Sequence, residues 1–249
     1  FVGGTIYRKG IDILLKTYRE TFSADDDVCL VIKGMGDESF YKGQTAGDLI
    51  REIQADETAP EVVYLTEVLG DDEIAGLYTA CDCLVHPYRG EGFGMPVAEA
   101  MACGLPVVVT QGGATDDFCT PETSYGVRAK RCPIAFQEET AGQAWLLDPD
   151  AEHLSELMTL VLAEPEAARQ RGLKASEYVR NELTWARAAD RIVERLTALK
   201  DQPVRREGVL ERVPVEGPVV ARNGKSELNG QTRDTNGVAR TIPETEKTG

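Results

Sequence analysis

The segment from His86 to Pro106, H-P-Y-R-G-E-G-F-G-M-P-V-A-E-A-M-A-C-G-L-P, gathers the residue types that can hold a charged, hydroxyl-rich ligand. Two carboxylates, Glu91 and Glu99, stand seven residues apart on either side of a glycine-rich stretch. Pro96 suits the first position of a helix, where its missing N–H costs nothing. The N–H groups of Gly92, Phe93, Gly94 and Met95 then cluster at a helix N-terminus, a ready site for a phosphate. Gly92 and Gly94 let the backbone come close to a ligand. Glu91, in the loop, can accept hydrogen bonds from sugar hydroxyls. Glu99, one turn into the helix, can accept from a vicinal diol such as a ribose. Each carboxylate alone has an ordinary explanation: Glu99 is favourable near a helix N-terminus without any ligand, and Glu91 can be a solvated loop residue.

The elements that must carry this loop follow from hydrophobic periodicity. Phe1–Gly3 reads as a strand, and Ile11, Leu14, Leu15, Tyr18 and Phe22 recur at helical spacing. Val28–Lys33, Val62–Leu65, Cys83–His86 and Pro106–Thr110 read as buried strands, with helices expected in Thr45–Asp56, Asp71–Ala80 and Pro96–Ala102. Short apolar strands alternating with helices predict an α/β fold, a Rossmann-like parallel sheet with helices on both faces. The loop then lies at the carboxyl end of a strand, where open parallel sheets bind ligands. Between 113 and 150 the pattern loosens, with one short strand near Tyr125–Arg128. A helical C-terminal part follows: one face of Leu154, Leu157, Met158, Val161 and Leu162, then helices from Pro165 to about Val179 and from Trp185 to Leu199, with Thr184 as N-cap. Residues 1–199 are thus expected to form one domain. Residues 200–249, without aromatic residues or periodicity, are expected to be a disordered tail.

Composition narrows the partners. The formal net charge of −15 argues against nucleic acid, whose affinity comes mainly from Lys and Arg against phosphates, and against docking on anionic lipid. No apolar run approaches 18 residues, and no signal peptide is visible. The six cysteines lack zinc spacing and read as small apolar residues of a reduced, cytoplasmic protein. The opening on Phe-Val-Gly-Gly, a strand already under way, suggests a piece of a larger protein.

Taken whole, the segment resembles the E-x7-E signature of the family-4 (group 1) retaining glycosyltransferases of the two-domain GT-B type, here E-G-F-G-M-P-V-A-E followed by A-M-A-C-G-L-P-V-V-V. F-V-G-G-T-I-Y-R-K-G-I-D-I-L-L resembles the first strand, basic loop and helix of that family's C-terminal, donor-binding domain, and Thr184-Trp185 its final helix start; the likeness spans roughly residues 1–199. The resemblance implies transfer of a sugar from a nucleotide-diphosphate sugar with retention at the anomeric carbon, by a hexosyltransferase-like enzyme that needs no metal and no cofactor. Arg8 and Lys9 match the basic pair on the donor diphosphate. Glu91 matches the carboxylate on the transferred sugar, with Arg8, Lys9 and Glu91 the catalytic set. The Gly92, Phe93, Gly94 and Met95 backbone matches the amides facing sugar and phosphate, and Glu99 the acid on the ribose. The base falls near Thr66–Asp71. Gly4 stands where many relatives carry an arginine. The glycan, lipid or protein acceptor would be held by an N-terminal GT-B domain, without which the isolated chain is expected to be inactive.

Three other readings remain: a non-catalytic nucleotide-sugar-binding module or truncated pseudoenzyme, a GT-B epimerase, disfavoured by the E-x7-E spacing, and an interaction domain with a dead site. Weaker signals carry less. Gly34-Met35-Gly36 lacks the third glycine of a dinucleotide fingerprint, since Ser39 stands there. Asp25-Asp26-Asp27 and Asp148-Pro149-Asp150 read as a turn and a helix entry rather than as metal sites. His86, closing a strand beside the signature, can touch ligand or be structural; His153 reads as a surface residue.

Overall fold

A computed structural model describes residues 1–36, 43–138 and 142–202, and the backbone of 226–228, 231–233 and 239–240. The chain divides into two compact units, Phe1–Leu196 and Thr197–Gly249.

In the first unit, α1 (Ile11–Thr21), β1 (Cys29–Lys33), α2 (Gly47–Gln54), β2 (Glu61–Leu65), α3 (Asp71–Ala80), β3 (Leu84–His86), α4 (Met95–Ala102), β4 (Val107–Thr110) and β5 (Tyr125–Val127) alternate along the chain. β1 pairs in parallel with β2, and β3, β4 and β5 pair in parallel in that order. Val2 forms a parallel bridge to Lys33, so the expected first strand is present as a bridge beside β1. Successive residues of β4 point to opposite faces, and both faces are buried. Val108 joins a core with Ile11, Leu14, Ile50 and Leu154, while Val107 and Val109 join another with Val97, Met101 and Ala175. Helices therefore cover both faces. α5 (Ala151–Ala163) shares the first core, and α6 (Pro165–Glu182) shares the second and packs on α4. α7 (Trp185–Leu199) has no buried residue. No helix among the described residues is long and apolar enough to cross a membrane.

The structure corrects the reading of 113–150. Instead of an irregular stretch with one short strand, β5 is followed by a two-stranded antiparallel hairpin, β6 (Ala129–Glu138) and β7 (Gly142–Pro149). The register shifts between Pro133 and Gln137. Proline has no N–H for the ladder, so an irregularity there is its ordinary accommodation, and the same residue hid the strand from a periodicity reading. In the segment expected to be disordered, three short strands, β8 (Ser226–Leu228), β9 (Gln231–Arg233) and β10 (Ala239–Arg240), pair antiparallel. Most of that segment, and with it the expectation of disorder, lies outside the described residues.

Candidate functional site

The basic pair sits in a single 3-10 turn, Tyr7–Lys9, that ends on Gly10 at φ 74°. Gly10 is also the N-cap of α1, and a Cβ there would collide with the carbonyl of Pro87. The left-handed backbone and the close approach both require glycine. This contact lays the basic turn against the end of β3. The carbonyl of Arg8 accepts from the amides of Arg89 (2.8 Å) and Gly90 (3.2 Å).

Arg89 makes that junction rigid. Its guanidinium forks onto Asp12 at 2.6 and 2.8 Å, donates to the carbonyl of Tyr7 at 2.8 Å and lies 3.8 Å from the centre of the Tyr7 ring. The residue is buried. A planar fork can satisfy two carboxylate oxygens and stack on an aromatic face at once, which a lysine cannot. Nothing in the sequence singles out Arg89 beyond its place beside the loop. The structure exposes Tyr7 and Phe93 but buries Arg89. The guanidinium is spent on holding two loops together.

Glu91 is the centre of a buried charge cluster. Its side chain is 6% exposed. Oε1 forms an ion pair and hydrogen bond with Lys9 and lies 3.0 Å from Nε2 of His86, a fully buried ring. Arg8 reaches Oε2 at 3.8 Å and donates from Nη1 to the carbonyl of Gly90 at 2.6 Å. Burial by itself would raise the Glu91 pKa. The hydrogen bonds from His86 and Lys9, and the charge of Lys9, outweigh it and hold the carboxyl down at about 2. Burial pushes the His86 pKa down, partly offset by the hydrogen bond and charge of Glu91. Glu91 is therefore a fixed anion next to a neutral imidazole. Arg8, with its side chain 43% exposed, is the more open of the two cations, held by one hydrogen bond to the Gly90 carbonyl; Lys9, at 13%, is committed to Glu91.

The loop leads into α4 as expected, one residue earlier, at Met95. Among the described residues, none accepts a hydrogen bond from the amides of Gly92, Phe93, Gly94 or Met95. Gly94, the N-cap of α4, has φ 90°, and a Cβ there would come within 2.5 Å of the Thr115 methyl. Thr115 is in turn fixed by the Tyr88 hydroxyl at 2.8 Å. Phe93 packs its ring 5.1 Å from that of Phe118, and Phe93 and Met95 are exposed. The arrangement is a row of unpaired donors at a positive helix end, held by a glycine that no other residue can replace.

Glu99 stands apart from this cluster. It is half-buried on α4, and its Oε2 accepts from the hydroxyl of Tyr78 on α3 at 3.0 Å. Burial and the Glu99 charge both raise the Tyr78 hydroxyl pKa, so it stays protonated as the donor. Oε1 has no partner among the described residues and is available to a diol. The Thr66–Asp71 loop at the carboxyl end of β2 is exposed, with Val68 97% accessible. The structure thus brings Arg8, Lys9 and Glu91 together and sets Glu99 beyond the loop. A cleft of about 550 Å³ lies at the carboxyl end of β4 and the base of the hairpin, lined by Gln111, Gly112, Arg128, Lys130, Asp148 and Asp150, and includes neither carboxylate of the signature.

Residues 1–142 match the family model described as "Glycosyl transferases group 1". A GDP-mannose-dependent alpha-mannosyltransferase from Corynebacterium glutamicum is 30% identical over 155 residues, which are 61% of this chain and 32% of that protein. Among solved structures, the Anabaena protein HepE in complex with UDP-glucose superposes with a TM-score of 0.56 at 19% identity, over 80% of this chain and 49% of that one. The C-terminal domain of a glycosyl transferase group 1 family protein from Francisella tularensis gives 0.54 at 18% identity, over 74% and 85%. Those structural likenesses show the fold, one half of a GT-B architecture. The chain spans less than half the length of the curated relatives it matches.

Proposed function

Since the chain belongs to the group 1 glycosyltransferases, we propose that it is the donor-binding half of a retaining transferase that takes a nucleotide-diphosphate sugar. The observation that carries the reading is the row of amides at Gly92–Met95, unpaired among the described residues, beside the buried Glu91–Lys9 pair, with the half-exposed Arg8 at its edge. The diphosphate lies against the amides and Arg8. Negative charge grows on its leaving oxygen as the glycosidic bond breaks, and donors already fixed in place stabilise that charge without reorganising. Lys9 contributes its charge from the Glu91 pair. Glu91, ionised at neutral pH, accepts from a hydroxyl of the transferred sugar. Its burial and its ion pair suit it to orienting the sugar rather than to attacking it. Glu99 takes the ribose diol with its free oxygen, and the base lies near Thr66–Asp71.

The second wall of the cleft and the acceptor site are assigned to an N-terminal domain, which would cover Tyr7, Phe93 and Met95, all exposed here. A cytoplasmic location fits a protein that consumes nucleotide sugars. The test is titration calorimetry of residues 1–249 with UDP, UDP-glucose, GDP and GDP-mannose. Weak binding of at least one nucleotide, lost in Gly94→Val, is expected; no binding of any nucleotide by the folded chain would overturn the reading.

A further inference from the structure

The donor-site reading leaves His86 without a task. The ring is fully buried, stacks at 5.2 Å on Phe1 and sends Nε2 to Glu91 at 3.0 Å. Its other nitrogen, Nδ1, is buried with no hydrogen-bond partner among the described residues. Glu91 is an anion and can only accept, so the proton sits on Nε2 and Nδ1 is a bare acceptor shut away from water. An unmet buried acceptor costs stability. A phenylalanine would fill the same space and stack on Phe1 without that cost. The sequence keeps a local conflict here, and such conflicts concentrate at functional sites.

What the imidazole does is visible at the carboxylate. Lys9 and His86 both address Oε1, from two different elements: the turn before α1 and the end of β3. Two donors on one oxygen stop the carboxyl from rotating. Oε2 then points to the Arg8 side, the open edge of the cluster, at a distance of 3.8 Å from that guanidinium. With Lys9 alone, an ammonium on a flexible stem, the carboxylate could swing and offer either oxygen.

Resting on the donor-site assignment, we propose that His86 is a positioning residue that, with Lys9, locks Oε1 of Glu91 so that Oε2 alone is presented to a hydroxyl of the transferred sugar. His86 touches no substrate; it sets how strongly the site distinguishes a nucleotide sugar from the nucleotide that lacks the sugar.

Two variants separate this role from packing. His86→Phe keeps the ring and its stacking but removes the donor. His86→Gln places an amide N–H near the position of Nε2 and restores it. The affinity ratio between UDP-glucose and UDP, or between GDP-mannose and GDP, is read by calorimetry. In His86→Phe that ratio should fall about tenfold, the size of one hydrogen bond to a charged group, while affinity for the bare nucleotide is kept. In His86→Gln it should return most of the way. An unchanged ratio in the phenylalanine variant, or an equal loss in both variants, would overturn the proposal. Should the parent bind no nucleotide, the donor reading fails and a second measurement still decides this one. Carboxyl carbon NMR, with the Glu91 signal assigned through Glu91→Gln, should show Glu91 titrating at a higher pH in His86→Phe than in the parent. Titration at the same pH in both would show that His86 does not hold the carboxylate. Circular dichroism melts of both variants identify any that fail to fold.

Discussion

Leu147 of β7 donates its amide to the carbonyl of Arg89 across 2.8 Å. One residue earlier, the Leu146 side chain approaches Gly90 beside the Arg8 stem, and a Cβ on Gly90 would meet both. The hairpin is thus fastened to the lead-in of the glycine-rich loop. Arg89 becomes a three-way joint: its amide bonds the basic turn, its carbonyl the hairpin and its guanidinium the start of α1. Precise placement of Arg8 and Glu91 depends on this joint, because the basic segment is a single 3-10 turn and the segment from Pro87 to Gly94 has no helix or strand of its own.

Arg89→Ala should therefore destabilise the domain by about 2 kcal/mol, since it removes both donors from the Asp12 carboxylate and one of the two donors to the Tyr7 carbonyl, which keeps the Gly10 amide. The figure is kept modest because Asp12 is 41% exposed and can turn to water. Arg89→Lys should recover less than half, as one ammonium cannot make the fork. Urea unfolding at neutral pH checks both. A loss below about 0.5 kcal/mol in the alanine variant, the ordinary range of a surface change, would refute the joint.

Acid stability offers a second test. The Glu91 carboxyl is held at about 2 against an ordinary value near 4.5. A lowered carboxyl pKa contributes stability that is present above the unfolded value and lost as pH falls through the folded one. The window runs from about pH 4.5 to about pH 2, and the contribution is at most about 3 kcal/mol. His86 adds to the same trend. Its folded pKa is lowered by burial, so acidification below its ordinary value of about 6.5 favours the unfolded chain, where the ring is free to charge. Urea midpoints measured from pH 7 to pH 3 should fall steeply for the parent and less steeply for Glu91→Gln below pH 4.5. Parallel curves would mean that the carboxyl is not held as described.

How much of this was legible in the sequence divides along physical lines. The alternation of apolar strands with helices showed the parallel sheet because strands buried on both faces need continuous β-branched runs, as Val107–Thr110 provides. The loop was legible because its requirements are chemical: Gly94 at a positive φ, Pro96 just inside α4 and carboxylates at a fixed spacing. The hairpin was not, because Pro133 interrupts its period and the register shifts between Pro133 and Gln137. Arg89 and Tyr78 were missed for another reason. Their roles come from pairing with Asp12 and Glu99, 77 and 21 residues away, and no local pattern encodes a contact over that span.

Glu99→Ala should weaken nucleotide binding about tenfold while leaving free pyrophosphate nearly unaffected, because a lost ribose contact is absent from both pyrophosphate measurements. Tyr78→Phe should do the same to a smaller degree, since Glu99 keeps its charge and loses only the bond that orients Oε2. Calorimetry with a nucleoside diphosphate and with pyrophosphate provides the comparison. Equal losses for both ligands would remove Glu99 from the ribose and leave it as a contributor to the helix end.

The last expectation is about transfer itself. The amides of Gly92–Met95, Arg8 and Glu91 line one rim, and around them Tyr7, Phe93 and Met95 are 61%, 42% and 57% exposed. Such a rim can hold a donor, but an acceptor must also be held against the anomeric carbon with its hydroxyl aligned and water kept out. Proximity and orientation account for about 7–11 kcal/mol of a bimolecular barrier in favourable cases, and an open rim supplies little of that. Residues 1–249 alone should therefore bind donor and show no measurable transfer over a broad panel of glycan, lipid and protein acceptors with radiolabelled nucleotide sugars. Fusion to the N-terminal domain of a group 1 relative should restore hydrolysis or transfer, and Tyr7 and Phe93 should then become protected from solvent in hydrogen-exchange measurements on the segments that carry them. Robust turnover by the chain alone would place the acceptor site within it. The 550 Å³ cleft beside the hairpin would then be the first place to look, because it opens at the carboxyl end of β4, next to the strand that carries the loop.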